Sequence, residues 1–349
     1  MSQRHCLESL HVQVPVIQAP MAGAQDEELA CAVALAGGLG SLPCAMLTPA
    51  GIAEQVENFR RRVAAPLNLN FFCHTPPPPS LDALSAWRQQ LDPYYRELGV
   101  SETKPTAGRR PFDEEMCRLV EQLRPEVVSF HFGLPEASLL TRVRASGAMV
   151  LGSATSVAEA HALVAGGVHA VIAQGAEAGG HRGTFLAEKA DDAELGLFAL
   201  LPQIVDAVKL PVIAAGGIAD ARGVAAAQAL GASAVQVGSA YLRCRESRIG
   251  SAHRRALEQA RDDSTRISDV FTGRRARGIV NRFMREMGPN NDLVPPFPLA
   301  SSVLAPVRAH AEGMGSGDFS PLWAGQAVAL PGGSSDANVL TKLLGSGWR

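Results

Sequence analysis

The chain has 349 residues, of which 46% are hydrophobic, 19% charged and 5% aromatic, and its formal net charge is −2. This composition supports a sizeable core and excludes a wholly disordered chain, and the balanced charge gives no reason to expect nucleic acid or an anionic membrane as a partner. The six cysteines form no CxxC pair or zinc-type cluster, and neither a signal peptide nor a membrane-length apolar run is present. We therefore predict free thiols, no metal site and a cytoplasmic protein.

Short apolar segments recur along the chain, and each is closed by glycine, proline or a polar residue. They predict eight strands, at Val14–Ala19, Leu39–Leu42, Leu67–Phe72, Val127–Phe132, Met149–Ser153, Ala170–Gln174, Val212–Ala215 and Ala234–Gly238. Continuous apolar character is typical of strands that are buried on both faces. Ala-rich segments with helical spacing lie between them, for example at Glu27–Ala36, Ile52–Arg62, Ser156–Ala165 and Ala221–Leu230. Eight strand–helix units predict an α/β fold, a (β/α)₈ barrel of the TIM type.

Two intervals interrupt this alternation. Residues 74–126 begin with HTPPPP and predict an elaborated third connection, with helices near Leu81–Leu91 and Asp113–Leu123. After the eighth strand we predict a largely helical stretch from Ser251 to Arg285 and a terminal helix near Ser335–Leu344. The predicted domains are the barrel, residues 1–245, a smaller and mainly helical cap, 246–318, and a C-terminal segment, 319–349, that returns to the barrel.

Glycines follow the seventh and eighth predicted strands. In TIM-type barrels these two loops commonly bind phosphate through backbone N–H groups. Gly216, Gly217 and Gly238 leave such groups uncovered, and Ser239 adds a hydroxyl donor. The same glycines could instead serve only as tight turns. Because two glycine sites occur at the two expected strands, we favour a phosphate-bearing ligand.

His181 is the leading titratable candidate, because it lies in the sequence GGHRG after the sixth strand. We predict a flexible, uncrowded loop over the barrel mouth, with an imidazole near its usual pKa that can act as base, acid or anion partner. His131 and His74 also lie near strand ends and are candidates for the pocket lining. Arg182 is interpreted as a solvated surface residue, and Glu177 as a carboxylate that caps a backbone amide.

Eight motifs occur in order along nearly the whole chain, weakest between about 75 and 125. They are QAPMAG (18–23), AGGLGSL (36–42), NLNFF (68–72), SFHFGLP (129–135), AQGAEAGGHRG (173–183), PVIAAGGIAD (211–220), QVGSAYL (236–242) and WAGQ (323–326). Together they resemble the FMN-dependent nitronate monooxygenases, formerly called 2-nitropropane dioxygenases. The resemblance implies a (β/α)₈ barrel that binds FMN noncovalently at the strand C-termini.

The resemblance also implies roles for individual residues. Gly217 and the segment Gln236, Val237, Gly238 and Ser239 correspond to the phosphate site, beside Gly216. Asn70, Gln174, Gly179 and the adjacent Gly180 correspond to contacts with the flavin ring or ribityl chain, and Ala22 to a close approach to the ring. His181 corresponds to the active-site histidine, and His131 is a candidate substrate contact. The implied reaction converts an alkyl nitronate and O₂ to an aldehyde or ketone plus nitrite, a nitroalkane detoxification, in a monomer or homodimer.

Two departures bear on substrate choice. The chain has Phe297-Pro298 where relatives often have Tyr-Pro, so a possible substrate hydroxyl is missing, and the insert at about 74–110 has no clear match. Two alternative functions stay open. An FMN-type enoyl-acyl-carrier-protein reductase would share the barrel, the flavin and the glycine-histidine loop but would use NAD(P)H. A non-catalytic flavin-binding protein would need no intact His181 loop.

Overall fold

The structure is a computed structural model that describes residues 6–78, 80–101, 109–186, 193–330 and 335–349. Its strands are β1 (Val16–Gln18), β2 (Gly40–Pro43), β3 (Leu67–Phe72), β4 (Val127–His131), β5 (Met149–Ala154), β6 (Ala170–Gln174), β7 (Gly180–His181), β8 (Val212–Ala215), β9 (Ala234–Val237), β10 (Thr265–Ser268) and β11 (Ala276–Ile279). The eight predicted barrel strands are all present. Three have the predicted bounds, and the others differ by one or two residues at an end.

Helices alternate with these strands and continue beyond them. They are α1 (Glu27–Leu35), α2 (Pro49–Arg62), α3 (Leu81–Leu98), α4 (Glu114–Leu123), α5 (Ala137–Ala145), α6 (Val157–Gly166), α7 (Leu197–Ala207), α8 (Ala221–Ala229), α9 (Ser239–Leu242), α10 (Ser251–Gln259), α11 (Arg282–Met287), α12 (Ala300–Gly313) and α13 (Ala337–Gly345). Asp26, Asp113 and Asp220 cap α1, α4 and α8 by accepting backbone N–H groups of the first turn. Among the described helices, none combines the length and apolarity needed to cross a membrane.

Eight parallel strands pair in the order β1-β9-β8-β6-β5-β4-β3-β2. The two outer strands also meet: the backbone N–H of Leu39, just before β2, donates to Val16 O at 2.9 Å, and Gln18 N–H donates to Leu39 O at 3.0 Å. These bonds close the sheet, so the predicted (β/α)₈ barrel is confirmed. Alternate residues of a strand face opposite sides. Val212 therefore packs with the helices and Ile213 packs inside the barrel, which explains the continuous apolar character of the segments.

A second hydrophobic core lies above the barrel. It joins α3 from the third connection to α11, α12 and the segment around Phe271. Trp87 and Tyr94 of α3 stack edge-on against Phe283, and the Tyr95 hydroxyl donates to Val303 O at 2.6 Å. The insert at 74–126 thus contributes a helix to the cap, a role that the sequence pattern did not indicate. The domain boundaries themselves stay a prediction.

The prediction of a largely helical stretch from Ser251 to Arg285 is wrong in its middle. After α10 the chain forms β10 and β11, an antiparallel pair, and only then α11. Thr265 and Ile267 are buried on one face of β10 while Arg266 is exposed, an alternation with the period of a strand. The pair gains a third strand, β7, from the loop after β6. This small sheet determines where His181 lies.

Candidate active site

A cavity of about 570 Å³ opens at the C-terminal ends of the barrel strands. Apart from His74, which is described below, all but one of the residues that the sequence singled out for catalysis or binding line it. They are Ala22, Asn70, His131, Gln174, Gly179, Gly180, His181, Gly216, Gly217, Gln236, Gly238 and Ser239. The exception is Val237, whose side chain is buried in the core between the barrel strands and the helices. The fold therefore brings residues from the ends of six separate barrel strands to one place.

The loop after β1 is fixed by a buried amide network. Gln18 Oε1 accepts from Ser41 N at 3.0 Å, and its Nε2 donates to Gln25 Oε1 at 2.6 Å. Gln25 Oε1 in turn accepts from Met21 N at 3.0 Å. These bonds hold the backbone of QAPMAG along the cavity wall and place Ala22 there. The glutamine of that motif, Gln18, therefore has a structural role.

Gly216 and Gly217 shape the wall after β8. Their φ angles are 114° and 69°, in the region that favours glycine. A Cβ at Gly216 would lie 3.0 Å from the backbone nitrogen of Ala178. Side chains other than hydrogen would therefore strain this turn and crowd the neighbouring loop.

The corner after β9 offers polar atoms to a ligand. Among the described residues, Gln236 Oε1 has no hydrogen-bond partner although it is shielded from solvent. Ser239 Oγ accepts the N–H of Gly325 at 2.7 Å, which leaves the hydroxyl proton of Ser239 free to be donated. Buried polar atoms in proteins are ordinarily paired. This corner, with Gly238 between the two side chains, is therefore suited to a ligand that carries polar groups.

Gln174 and Asn70 are held by bonds of their own. Gln174 Nε2 donates to His181 O at 3.0 Å, and its Oε1 accepts from Gly183 N at 2.7 Å. The Gln174 side chain thus fixes the chain on both sides of Arg182, a positioning role that the sequence did not indicate. Asn70 Nδ2 donates to Ser129 Oγ at 2.9 Å, so its Oδ1 is the atom that it can offer to a ligand.

The prediction of a flexible, uncrowded loop for His181 is wrong. His181 lies in β7, which pairs with β11 opposite Ala276, and its ring is surrounded by aromatic side chains. The ring centroids are 5.3 Å from Phe297, 5.5 Å from Trp323, 5.9 Å from Phe132 and 6.3 Å from Phe72. A short strand and a packed set of rings therefore hold the imidazole in one place.

Burial also changes the ionisation of His181. Desolvation lowers its pKa well below the usual range, and the positive charge of Arg109 lowers it further. His181 Nε2 lies 3.0 Å from Thr272 Oγ1, and that hydroxyl donates to Arg274 O at 3.3 Å. Because the hydroxyl proton is used, Nε2 carries the ring proton and Nδ1 is the acceptor. At neutral pH His181 is thus a neutral imidazole and not an imidazolium.

The other two histidine candidates are also neutral. His131 lines the cavity, its Nε2 is 3.2 Å from His181 O, and burial lowers its pKa to about 4. His74 is 5% exposed and packs against the rings of Phe72 and Phe297, and burial lowers its pKa to about 4 as well. His74 therefore packs against the aromatic side chains that surround His181 and does not line the cavity.

The prediction for Arg182 is wrong, whereas the prediction for Glu177 is confirmed. Arg182 is 1% exposed and donates to Gln174 O at 3.1 Å, so the interpretation as a solvated surface residue is wrong. Its neighbours on β7 and β11 carry it into the interior, which no local pattern reveals. Glu177 accepts the N–H of Leu197 at 2.8 Å with both carboxylate oxygens, at the start of α7. Its predicted capping role is confirmed.

The segment after His181 is held by a buried carboxylate. Glu159 of α6 is 1% exposed and accepts from the N–H and hydroxyl of Thr155 at 2.7 Å and from Phe185 N at 2.6 Å. We expect Glu159→Ala to lower the free energy of unfolding by roughly 3 kcal/mol, because several buried donors lose their acceptor. Thermal unfolding measures this, with Glu57→Ala, an exposed position on α2, as the control. Equal, small changes in both variants would contradict the assignment.

Several cavity residues were not found from the sequence. The WAGQ motif (323–326), by contrast, was identified from the sequence, and it packs tightly. A Cβ at Gly325 would lie 2.6 Å from Glu177 O, and Gln326 N donates to the same oxygen at 2.9 Å. Arg109, His253, Arg308 and Glu312 also line the cavity. Arg109 lies in the insert where no motif matched, and the others lie in the cap, where the sequence carried only a helical pattern.

The family model described as nitronate monooxygenase matches residues 4–344. The chain belongs to the nitronate monooxygenase family. The nitronate monooxygenase of Paraburkholderia phytofirmans is 37% identical over 347 residues, which cover 98% of this chain and 94% of that protein. The family is one of oxidoreductases, so the chain is an enzyme, and the resemblance seen in the eight motifs is confirmed.

Solved structures agree with this assignment. Nitroalkane oxidase from Streptomyces ansochromogenes superposes with a TM-score of 0.89 at 37% identity, over 98% of this chain and 97% of that chain. FabK from Thermotoga maritima has a TM-score of 0.74 at 24% identity, over 99% of this chain and 96% of that chain, and shows a shared fold alone. The phenyl ring of Phe297, which carries no hydroxyl, lies beside His181.

Proposed function

We propose that this chain oxidises alkyl nitronates with FMN and O₂, giving an aldehyde or ketone and nitrite. The proposal rests on one observation above all: a neutral histidine, fixed in a small sheet, faces a cavity at the strand ends of a nitronate monooxygenase barrel. Family membership supports the substrate class. The six cysteines, none of them in a disulfide, support a cytoplasmic location.

The residues present fit FMN. Gly216, Gly217 and Gly238 have no side chain to cover their backbone N–H groups, and Ser239 retains a hydroxyl proton that a phosphate oxygen would accept. Gln236 Oε1, an acceptor without a partner among the described residues, would accept from a hydroxyl of the ribityl chain. We assign the phosphate to this corner and the flavin ring to the wall formed by Ala22, Asn70, Gly179 and Gly180. Bound FMN supplies the electron transfer, while the protein binds and orients the substrate.

His181 acts as the proton acceptor in this proposal. With neutral nitroalkanes, the α-proton moves to Nδ1 of His181 and the carbon–hydrogen electron pair remains on the substrate, which becomes the nitronate. Thr272 Oγ1 accepts a hydrogen bond from Nε2–H of His181 and keeps the ring in the tautomer that this step requires. The rings of Phe132, Phe297 and Trp323 exclude water from the imidazole.

Anaerobic reduction of the flavin separates the proposed function from its alternatives. We expect the purified protein to be yellow, to release FMN on heating, and to be bleached rapidly by propionate 3-nitronate and slowly or not at all by NADPH. Absorbance near the flavin maximum, followed by stopped flow, measures both rates.

The contrary results are distinct. Rapid bleaching by NADPH together with turnover of an enoyl thioester would establish the reductase function instead. Bound FMN that no nitronate reduces would leave a flavin-binding protein. Release of FAD, or a colourless protein that does not take up FMN, would contradict the assignment of the cofactor.

A further inference from the structure

Several basic side chains line the cavity, and they differ in whether they are charged and whether a carboxylate pairs with them. Burial lowers the pKa of His131 and His253 to about 4 and that of His181 well below its usual range, so these lining histidines are uncharged at neutral pH. Arg308 lines the cavity but pairs with Glu312 at 2.7 Å. Within the described ranges, Arg109 is the lining cation that has no carboxylate partner.

The surroundings of Arg109 make this charge costly. Its guanidinium carbon lies 5.6 Å from the centre of the Phe297 ring, the same ring that packs 5.3 Å from His181. Burial lowers the pKa of Arg109 to about 10, and the charge of Arg308 adds to this effect, yet Arg109 remains protonated at neutral pH. A partly buried charge without a counter-ion is destabilising unless a ligand supplies one.

We propose that Arg109 binds the negatively charged O–N–O group of the nitronate, and that His181 does not. This inference rests on the proposed function. The planar guanidinium presents paired N–H donors that match two oxygens in one plane, as it does with carboxylates. An uncharged His181 offers no such attraction, and its Nδ1 is left for proton transfer. Both residues lie near the Phe297 ring. Arg109 thus binds the anion, and His181 removes the proton.

Anion binding can be measured without turnover. Nitrite is a planar O–N–O anion, and its binding to the flavin-loaded protein is followed by calorimetry or by perturbation of the flavin spectrum. We expect Arg109→Gln to weaken nitrite binding about 10- to 100-fold, the effect of removing a charge-assisted hydrogen bond. Arg109→Lys should restore part of the affinity. Arg110→Gln removes the same charge one residue away, from an exposed side chain paired with Asp113 and Glu115, and should change nothing.

Kinetics provide a second readout. Arg109→Gln should raise the KM for ethyl nitronate by a similar factor and leave the KM for neutral nitroethane nearly unchanged. The charge of Arg109 also depresses the pKa of His181, together with His131, His74 and Arg274, so its removal should shift the acid limb of nitroethane oxidation to higher pH. A purely structural role for Arg109 would move neither the substrate preference nor this limb.

The outcomes are separable from those for the proposed function. Unchanged nitrite affinity and unchanged nitronate KM in folded, flavin-loaded Arg109→Gln would overturn the inference while the oxidation of nitronates stands. Nitrite binding that depends on Arg109, in a protein whose flavin no nitronate reduces, would keep the anion site and reject the proposed function. If the glutamine variant does not fold, Arg109→Met and Arg109→Lys give the same comparison of neutral and charged side chains.

Discussion

His181→Asn is expected to retain its flavin and to lose about 10²–10⁴-fold in kcat with neutral nitroalkanes, the range that a general base ordinarily contributes. Asparagine has a similar local size and can still donate to Thr272 Oγ1, so β7 and the aromatic surround should persist. It has no nitrogen lone pair able to accept a proton near neutral pH. Steady-state rates with nitroethane, together with FMN content, measure the effect.

The comparison with preformed nitronates is the sharper test. Their α-proton is already absent, so the same variant should oxidise them with a much smaller loss. His161→Asn changes an exposed histidine on α6 and should leave both rates unchanged. Parental rates with both substrates in His181→Asn would make His181 a structural residue, and His131, which also lines the cavity, would then be examined. Equal losses with both substrates would place anion binding, and not proton removal, at His181.

The pH profile of nitroalkane oxidation follows from the ionisation of His181. The active form is the neutral imidazole, whose fraction rises as pH increases through the pKa. Because burial and Arg109 place that pKa well below 6.5, the rate should be level with respect to this group across neutral pH and fall only in acid. A limb centred near the ordinary histidine pKa would show that the ring is solvated during the reaction.

Gly238→Asp is expected to abolish FMN binding in a barrel that still folds. A Cβ at Gly238 would meet only Ala19 Cβ at 3.4 Å and Met21 Sδ at 3.7 Å, which are ordinary contacts, and its φ of −114° lies outside the left-handed region that favours glycine. The carboxylate would therefore stand beside Gln236 and Ser239, where like charge and bulk oppose a phosphate. Flavin content after purification and the Kd for added FMN measure the loss, and circular dichroism reports the fold.

Matched substitutions at Gly238 separate charge from size. Gly238→Asn has nearly the same volume without the charge and should bind FMN more weakly than the parent and more tightly than the Asp variant. Gly238→Ala adds the Cβ alone and should bind nearly normally. Gly217 is less suitable, because its φ of 69° would add backbone strain to any side chain. Unchanged FMN affinity in Gly238→Asp would mean that the phosphate binds elsewhere.

The barrel and the glycine turn after β8 could be predicted because their causes are local. A strand buried on both faces, such as Val212–Ala215, is apolar throughout whatever its neighbours are. Gly216 and Gly217 are required by backbone angles of the turn that they form. In both cases a few consecutive residues contain the whole physical reason for the backbone conformation, and the phosphate site at these glycines stays a prediction.

The environment of His181 could not be predicted because its causes are distant in the chain. The ring contacts Phe72, Thr272, Phe297 and Trp323, which come from four separate segments. A glycine-rich run such as GGHRG looks mobile when it is considered alone, and only its pairing with β11 makes it a strand. The alternation of apolar and polar residues in β10 can be seen in the sequence. Because it covers only four residues and lies between helical segments, it was not recognised as a strand.

The small sheet that holds His181 has a consequence for how the enzyme is assembled. The last barrel strand ends at Val237, but β11 begins at Ala276 and WAGQ begins at Trp323. Contacts between residues far apart in sequence close a large loop and form late in folding. During synthesis from the N terminus, the barrel strands are complete while the imidazole still lacks its partner strand and half of its aromatic surround. Catalytic competence is therefore withheld until almost the whole chain has emerged.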